Sequence, residues 1–334
     1  MNWSKGFSAA YYATIVDQAT WMDKKRIELT GGMINRTATE LRESADIDCV
    51  NYEEAYECWI RIYLDARQAG GAAHLPIFTG LASSPKRNID GTRSENKVQC
   101  YSVLQPASDI LLPKGWYAAR SFEASAVIQK LLKVCGAPVE AKSTPKRLSD
   151  YIIAEQGETN LSMVNKILEA TGYRLRIRGD GTIEICDEAT EPAAAFGVTS
   201  NDVLETKITV EHDLFKCPNV IRVISGEDSI EYRDDDPASP LSTISRGREV
   251  WEEDSNATLF EGESIRAYAK RRLKELQRSA QSAQYDRRYH PNVLPSDIVR
   301  LNYPAQDLVG DFRVETQKIT LGHGAKTSEE VIRI

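Results

Sequence analysis

A chain of 334 residues and 37.3 kDa, with 41% hydrophobic and 27% charged side chains, has ordinary globular composition and the length of two or three domains. No apolar run approaches the ~18 residues of a membrane span, and the first twenty residues lack the apolar core of a secretory signal, so no membrane insertion and synthesis in a cytoplasm are expected. The net charge of −7 is uneven: residues 1–150 carry 19 basic and 17 acidic side chains and the remainder 23 and 32, a balance poorly suited to gripping nucleic acid.

The first 115 residues are dominated by period-two alternation, which places one face in a core and the other in water. Ile27 and Leu29 alternate with Arg26 and Glu28, and Ala45, Ile47 and Cys49 with Asp46 and Asp48. Ile60, Ile62 and Leu64 alternate with Arg61, Tyr63 and Asp65, and Val98, Cys100 and Ser102 with Lys97, Gln99 and Tyr101. Gly31-Gly32 and Asn88-Ile89-Asp90-Gly91 read as turns between such strands. The region 1–115 is therefore expected to form one β-barrel or sandwich.

Residues 116–200 change character. Ser121 is positioned to cap a helix whose apolar face is Ala124, Ile128, Leu131 and Cys135, stopped by Gly136 and Pro138. A second helix starts near Thr159 or Asn160, buries Leu161, Val164 and Leu168, and ends at Gly172. Leu175 and Ile177 then pair in phase with Ile183 and Ile185 across the turn Gly179-Asp180-Gly181. These elements make a compact α+β module, and 189–200, with Pro192 and three consecutive alanines, reads as a connector.

Strand patterns return at 207–211 and 220–224. A charged, proline-containing loop follows from 227 to about 248, then one helix near 262–279 with Ile265, Tyr268, Ala269, Leu273 and Leu276 on one face. Strands follow at 298–301, 312–321 and 331–334. The apolar phase shifts from Phe312 and Val314 to Ile319 and Leu321, which predicts a β-bulge near Gln317. Residues 201–334 are thus expected to form a second β-domain with an inserted helix.

A search for chemistry along the chain gives little. Cys49, Cys58, Cys100, Cys135, Cys186 and Cys217 include no CxxC pair and read as small buried hydrophobes in a reducing compartment. His74, His212, His290 and His323 lie in no nucleophile–base or metal-ligand pattern and read as surface or structural histidines. Two acidic clusters, Asp234-Asp235-Asp236 and Glu252-Glu253-Asp254, have the residue types of paired catalytic carboxylates or a calcium-assisted interface. Their polar, turn-rich surroundings favour solvated loops. Arg174, Arg176 and Arg178 project from one face of the hairpin strand, as the wet face of an amphipathic hairpin or as a stripe for an acidic partner. No nucleotide-binding loop occurs. The residues therefore name no catalytic, cofactor-binding or metal site, and no cofactor is expected.

Three segments carry a family resemblance. The stretch 27–47, IELTGGMINRTATELRESADI, resembles the opening of phage and prophage tail baseplate hub proteins, relatives of the T4 baseplate hub that include proteins of defective prophages and R-type bacteriocins. The segment 285–301, YDRRYHPNVLPSDIVRL, and the segment 310–322, GDFRVETQKITLG, are similar to their late strands. The resemblance implies a mainly β fold with α+β content: two antiparallel β-barrel domains flanking the small α+β module, assembled as a homotrimer that presents six barrels in a ring. It implies a structural, non-enzymatic role in the virion tail baseplate or a phage-tail-like particle, joining the hexameric tail tube to the trimeric central spike. The implied partners are the tube or tube-initiator protein, the spike, other baseplate proteins and a tape-measure protein in the lumen, with DNA only in transit. Some relatives carry an extra C-terminal peptidase or lysozyme domain, and with the last strand running to Ile334 none is expected here. With about −9 on residues 151–334, the lumen is expected to be neutral to acidic, with Arg174, Arg176 and Arg178 facing protein neighbours or outer solvent. The alternative readings are a tail-tip murein hydrolase or peptidase, and a carbohydrate-binding adhesin of the tail tip.

Overall fold

The computed structural model describes the chain except residues 40, 51, 55, 91–92, 199–207, 213, 216, 226–227, 256, 258, 261, 279–280, 307 and 323–324, and except the side chains of 84, 85, 87–90 and 93–95. Six strands form the first β half: β1 (Ser8–Val16), β2 (Asp23–Thr37), β3 (Glu43–Val50), β4 (Cys58–Gln68), β5 (Gly71–Asp90) and β6 (Arg93–Ser102). They pair in the order β1-β4-β5-β6-β3-β2, all antiparallel, and β1 also pairs with β2, so the hydrogen-bonded path returns to its start. The alternating residues turn inward as the period-two pattern predicts: Ile34, Ile47, Ile60, Ile62, Leu64, Phe78 and Val98 fill one core.

Two predicted turns here need correction. Gly31-Gly32 lies inside β2, beside a register shift between Leu29 and Gly31 against β3. Gly32 has φ +142°, and a Cβ there would lie 2.6 Å from the Asp46 carbonyl oxygen, so the glycine permits close approach of strands at a bulge. At Asn88-Ile89-Asp90-Gly91, β5 continues to Asp90, and the turn itself lies outside the described residues.

The middle region contains α1 (Gln105–Asp109), β7 (Tyr117–Ala118), α2 (Ala124–Leu132), β8 (Val139–Ala141), β9 (Ile152–Ile153), α3 (Asn160–Thr171), β10 (Tyr173–Ile177) and β11 (Ile183–Asp187). Ala124, Ile128, Leu131 and Cys135 are buried as their spacing predicts, and a 3₁₀ turn ending at Gly136 (φ +70°) closes α2. The N-cap is Glu123, however: Ser121 sits two residues earlier with φ +66° and donates its hydroxyl to the Arg120 carbonyl. Helix α3 matches its sequence signals at both ends. Thr159 and Ser162 form a reciprocal capping box, and Gly172 takes the left-handed C-terminal position. The hairpin β10–β11 has the predicted register, Leu175 opposite Ile185 and Ile177 opposite Ile183, and β8 adds to β11 in parallel.

The last region contains β12 (Pro192–Gly197), β13 (Thr209–His212), β14 (Val220–Ser225), β15 (Asp228–Arg233), α4 (Thr243–Arg246), β16 (Trp251–Asp254), α5 (Ile265–Arg278), β17 (Gln281–Arg288), β18 (Ile298–Tyr303), β19 (Leu308–Thr320) and β20 (Lys326–Arg333). The stretch read as a connector is a strand: β12 pairs in parallel with β18, burying Phe196. Strands β12, β18, β19, β20, β17 and β13 form a second six-stranded unit around Phe196, Leu301, Phe312 and Val331. The insertion before β17 is larger than one helix. Strands β15-β14-β16 form a separate sheet, and Tyr268, Ala269 and Leu273 of α5 pack with Ile221 and Val223 in a core of their own.

The two β halves share one sheet. Thr316–Thr320 of β19 pairs antiparallel with Thr37–Met33 of β2. The predicted bulge is present two residues before Gln317, because the register against β20 shifts between Val314 and Thr316 and leaves Glu315 as the extra residue. That insertion resets parity, so Val314 and Gln317 both point inward. Inward-facing Gln317 is held by Glu329, whose carboxylate it meets at 2.6 Å, and by the Val293 carbonyl at 2.9 Å. Glu329 in turn takes both ends of the fully buried Arg287 guanidinium, one at 2.7 Å. Replacing Arg287 with alanine would strand a buried carboxylate, a change that costs about 3–5 kcal/mol. We therefore predict a large loss of unfolding free energy for Arg287→Ala in a denaturant titration; a loss under about 1 kcal/mol would contradict this burial.

Candidate assembly surface and the charged junction behind it

Two of the three hairpin arginines, Arg174 and Arg176 of β10, are neither a wet face nor a free stripe for a partner, whereas Arg178, one residue past the strand, is exposed. Arg174 Nη1 donates to Asp297 Oδ1 at 2.7 Å and to the Ser296 carbonyl at 2.9 Å, and Arg176 Nη2 donates to Asp297 Oδ2 at 3.0 Å. Arg176 and Arg178 flank the buried Glu184 at 3.5 and 3.6 Å, and Arg178 donates to Asp180 at 2.6 Å. Asp297 is buried and also accepts the Leu294 backbone N–H, so both its oxygens are committed. Its loop is tied to β19 by Ser296 N–H to the Val314 carbonyl. Arg174 and Arg176 thus clamp the α+β module onto the second β half. The sequence displays the arginines at period two, but their carboxylate lies about 120 residues away, beyond any local pattern.

The tip of the same hairpin rests on the first β half. Thr79 Oγ1 donates to the Gly179 carbonyl at 2.8 Å, and Trp21 Nε1 and Arg61 Nη2 both donate to the Asp180 carbonyl. Arg61, itself buried, also donates to Thr79 Oγ1 and Asp23. A Cβ on Gly179 would sit 1.9 Å from the Pro76 carbonyl oxygen, and one on Gly181 (φ +85°) 2.8 Å from the Trp21 ring. Gly179 is therefore required by close approach of backbone to backbone, and Gly181 by its positive φ and the Trp21 and Thr79 side chains packed against it.

Of the residues considered for chemistry, His74 is drawn into a stacked, hydrogen-bonded group. On the exposed face of the first half, His74 Nδ1 lies 2.6 Å from Asp65 Oδ1 and Nε2 lies 3.2 Å from the Tyr12 hydroxyl. The rings of Tyr12, Tyr63 and His74 stack, and the Arg26 guanidinium covers Tyr12 at 3.9 Å. Partial burial and the nearby Asp65 charge push the Tyr12 phenol above its ordinary range, the wrong direction for a nucleophile. This is a stacked ladder on the sheet's outer face. Sequence reading missed it because β1, β4 and β5 must pair before the three rings share a face.

His212 is exposed at the end of β13, His290 follows β17, and His323 lies outside the described residues. Asp234, Asp235 and Asp236 bond Ser239, Thr243 and nearby backbone N–H groups, as a solvated loop would. Glu252, Glu253 and Asp254 are in β16, where Glu253 meets Arg222 and Asp254 accepts the Tyr268 hydroxyl. No disulfide joins the six cysteines, and burial pushes the Cys49 thiol to about 11 and Cys135 to about 12. Among the described residues no three His, Cys, Asp or Glu side chains cluster to hold a metal ion.

Several exposed apolar residues of the α+β module lie on or beside the short strands β7 and β9. Tyr117 pairs with Ile153 across β7–β9, Tyr117 and Tyr151 have ring centroids 5.9 Å apart, and Leu111 bridges to Thr159; all four apolar side chains are more than half exposed. Such a strip, on a module locked between two β halves, is a candidate contact surface.

The fold so described is that of phage tail proteins. Searches found no matching protein-family model and no matching curated sequence. Among solved structures, the chain is similar to the tail protein from Neisseria meningitidis MC58, with a TM-score of 0.70, 14% identity and 97% of each chain covered. It is similar to the 43 kDa tail protein of prophage MuSo2 from Shewanella oneidensis, at TM-score 0.66, 12% identity and again 97% of both chains. A third neighbour is the E. coli c3393 protein, a type VI secretion system component with structural similarity to the T4 tail proteins gp27 and gp5. It matches at TM-score 0.53 and 9% identity, over 92% of this chain and 74% of that one.

Two measurements test the junction. Asp297→Asn keeps the shape but removes the charge that two arginines share, and it should lower stability by about 2–4 kcal/mol while opening 189–200 to proteolysis. Unchanged stability and protease resistance would show that the clamp contributes nothing. Gly179→Ala should reduce soluble yield and unfolding temperature much more than alanine at Gly6, around which a Cβ meets no atom within 4 Å.

Proposed function

We propose that this chain is a non-enzymatic structural hub of a phage-type tail baseplate, assembled as a homotrimer between a hexameric tube and a trimeric spike. The observation that carries the reading is the presence in one chain of two six-stranded β units joined edge to edge through β2 and β19. Read as two barrels, three copies supply six similar units around an axis, and a ring of heterologous contacts closes when each unit turns about 60°. Support comes from the shared fold with prophage tail proteins, and from a type VI component likened in turn to T4 tail proteins. On this reading the chain is divided near 115 and 200, works in the virion tail, contacts the tube, the spike and other baseplate proteins, and passes DNA and tape-measure protein through its lumen.

The lumen wall is neutral to acidic on this reading, because each Lys or Arg contact to phosphate adds counterion-release affinity and slows passage. Arg174 and Arg176 engage Asp297 within the chain, in keeping with that wall. Native mass spectrometry of the purified chain should give three copies of the 37.3 kDa subunit. A monomer or a six-copy ring in the assembled tail would overturn the hub reading.

The murein hydrolase reading has one observation in its favour, the Asp65–His74–Tyr12 alignment. Zymography on peptidoglycan decides it: we predict no cleared zone from the wild type. A zone abolished by His74→Ala would establish the enzyme instead.

A further inference from the structure

Where β2 and β3 meet the hairpin strand β10 and the loop before β18, a cavity of about 20 Å³ is bordered by Arg36, Arg42, Glu43 and Arg176, with Leu294 and Pro295 as part of its apolar rim. The volume is enough for one small guest, the size of a water or a halide. Arg36 and Glu43 are nearly inaccessible to solvent. Arg36 Nη2 donates to the Ile77 carbonyl, and Arg42 reaches the Ala38 carbonyl and Asn165. That leaves Arg36 Nε and Nη1, Arg42 Nε, Arg176 Nε and Glu43 Oε1 buried without a hydrogen-bond partner among the described residues. Arg36 Nε and Glu43 Oε2 are 3.6 Å apart, an ion pair lacking hydrogen-bond distance.

We propose that this cavity is a binding site for a single halide-sized anion, chloride under ordinary conditions, held by Arg36, Arg42 and Arg176. The donor count discriminates between guests. Four nitrogens on the bordering arginines offer N–H groups and one oxygen seeks a donor; a water accepts only two hydrogen bonds and gives two, whereas an anion can accept from more than two donors. Charge agrees. Three guanidinium groups border the cavity against one carboxylate, and the Asp297 and Glu184 carboxylates behind Arg176 are already shared with Arg174 and Arg178. Each orphaned buried donor is otherwise a net cost to the fold.

Glu43 links the site to pH. Burial pushes its carboxyl up to about 8 despite the attraction of Arg36. Below that value the neutral acid adds an O–H donor to the cavity. Above it a carboxylate repels the guest. With the folded value above the unfolded one, the proton stabilises the fold at low pH, and that contribution is lost as pH rises through about 8.

The test uses the full chain at constant ionic strength, exchanging gluconate for chloride or bromide. At pH 6.5 the unfolding temperature should rise with halide concentration along the logarithmic dependence of one bound ion, and the halide affinity should fall about tenfold or more by pH 9. Glu43→Gln should bind halide with less than about a twofold change over the same range, and Arg42→Met should lose about tenfold at pH 6.5. A bromide-soaked crystal should show an anomalous peak among the three arginines. Equal unfolding temperatures in gluconate and bromide at pH 6.5, or a bromide crystal with no such peak, would overturn the proposal. The wild-type measurements decide it even if Arg42→Met fails to fold.

Discussion

The five-residue pairing of Thr316–Thr320 with Thr37–Met33 is the constraint on which the architecture depends. It turns two six-stranded units into one sheet and fixes their relative rotation through backbone hydrogen bonds, which tolerate little slippage once one face is buried. The bulge at Glu315 makes the pairing possible. Before it, β19 serves β18 and the second core; after it, parity is reset and Ile319 turns into the core of the first half. The Glu315 carbonyl also accepts the Ala38 N–H just beyond β2, extending the joint past the strand end.

The α+β module is fitted to that joint as a wedge. Its hairpin tip sits on Thr79, Trp21 and Arg61 of the first half, and its flank is clasped by Asp297 of the second. Its apolar core runs on into Val16, Trp59, Val103 and Leu104 of the first half without interruption. Contacts of both kinds oppose hinge motion: the apolar ones are non-directional and large in area, while the buried ionic ones fix register.

What was legible in the sequence followed physical range. Period-two alternation revealed β3, β4 and β6, and the spacing of Leu161, Val164 and Leu168 with Thr159 and Gly172 at the ends revealed α3, because both signals are local. Signals set by distant partners were misread. Gly31-Gly32 resembles a turn until β3 is known to press on Gly32, and 189–200 resembles a linker until β18 supplies the partner for its alanines. The small sheet β15-β14-β16 was hidden because its strands are short and its outer strands β15 and β16 are polar and largely exposed. Of the candidate site, the arginines of β10 were visible as a stripe, whereas Asp297, Glu43 and the Tyr12–Tyr63–His74 ladder depend on tertiary pairing. The fold-level kinship with tail proteins was carried by strand-and-turn segments, at an identity too low for a sequence search to register.

The span of the β2–β19 pairing also has a kinetic side. Residues 33–37 and 316–320 are far apart in sequence, so a ribosome must deliver the whole stretch between them before that part of β2 finds its second neighbour. The rest of the first half can assemble from residues 8–102, leaving a short unpaired edge exposed for the duration of synthesis. Asn35 and Arg36 are polar and Gly31-Gly32 bends the strand beside a bulge, features that make this edge a poor template for intermolecular strand addition. The same bulge that lets β2 approach β3 so closely thus shields the nascent chain until its own C-terminal strands arrive.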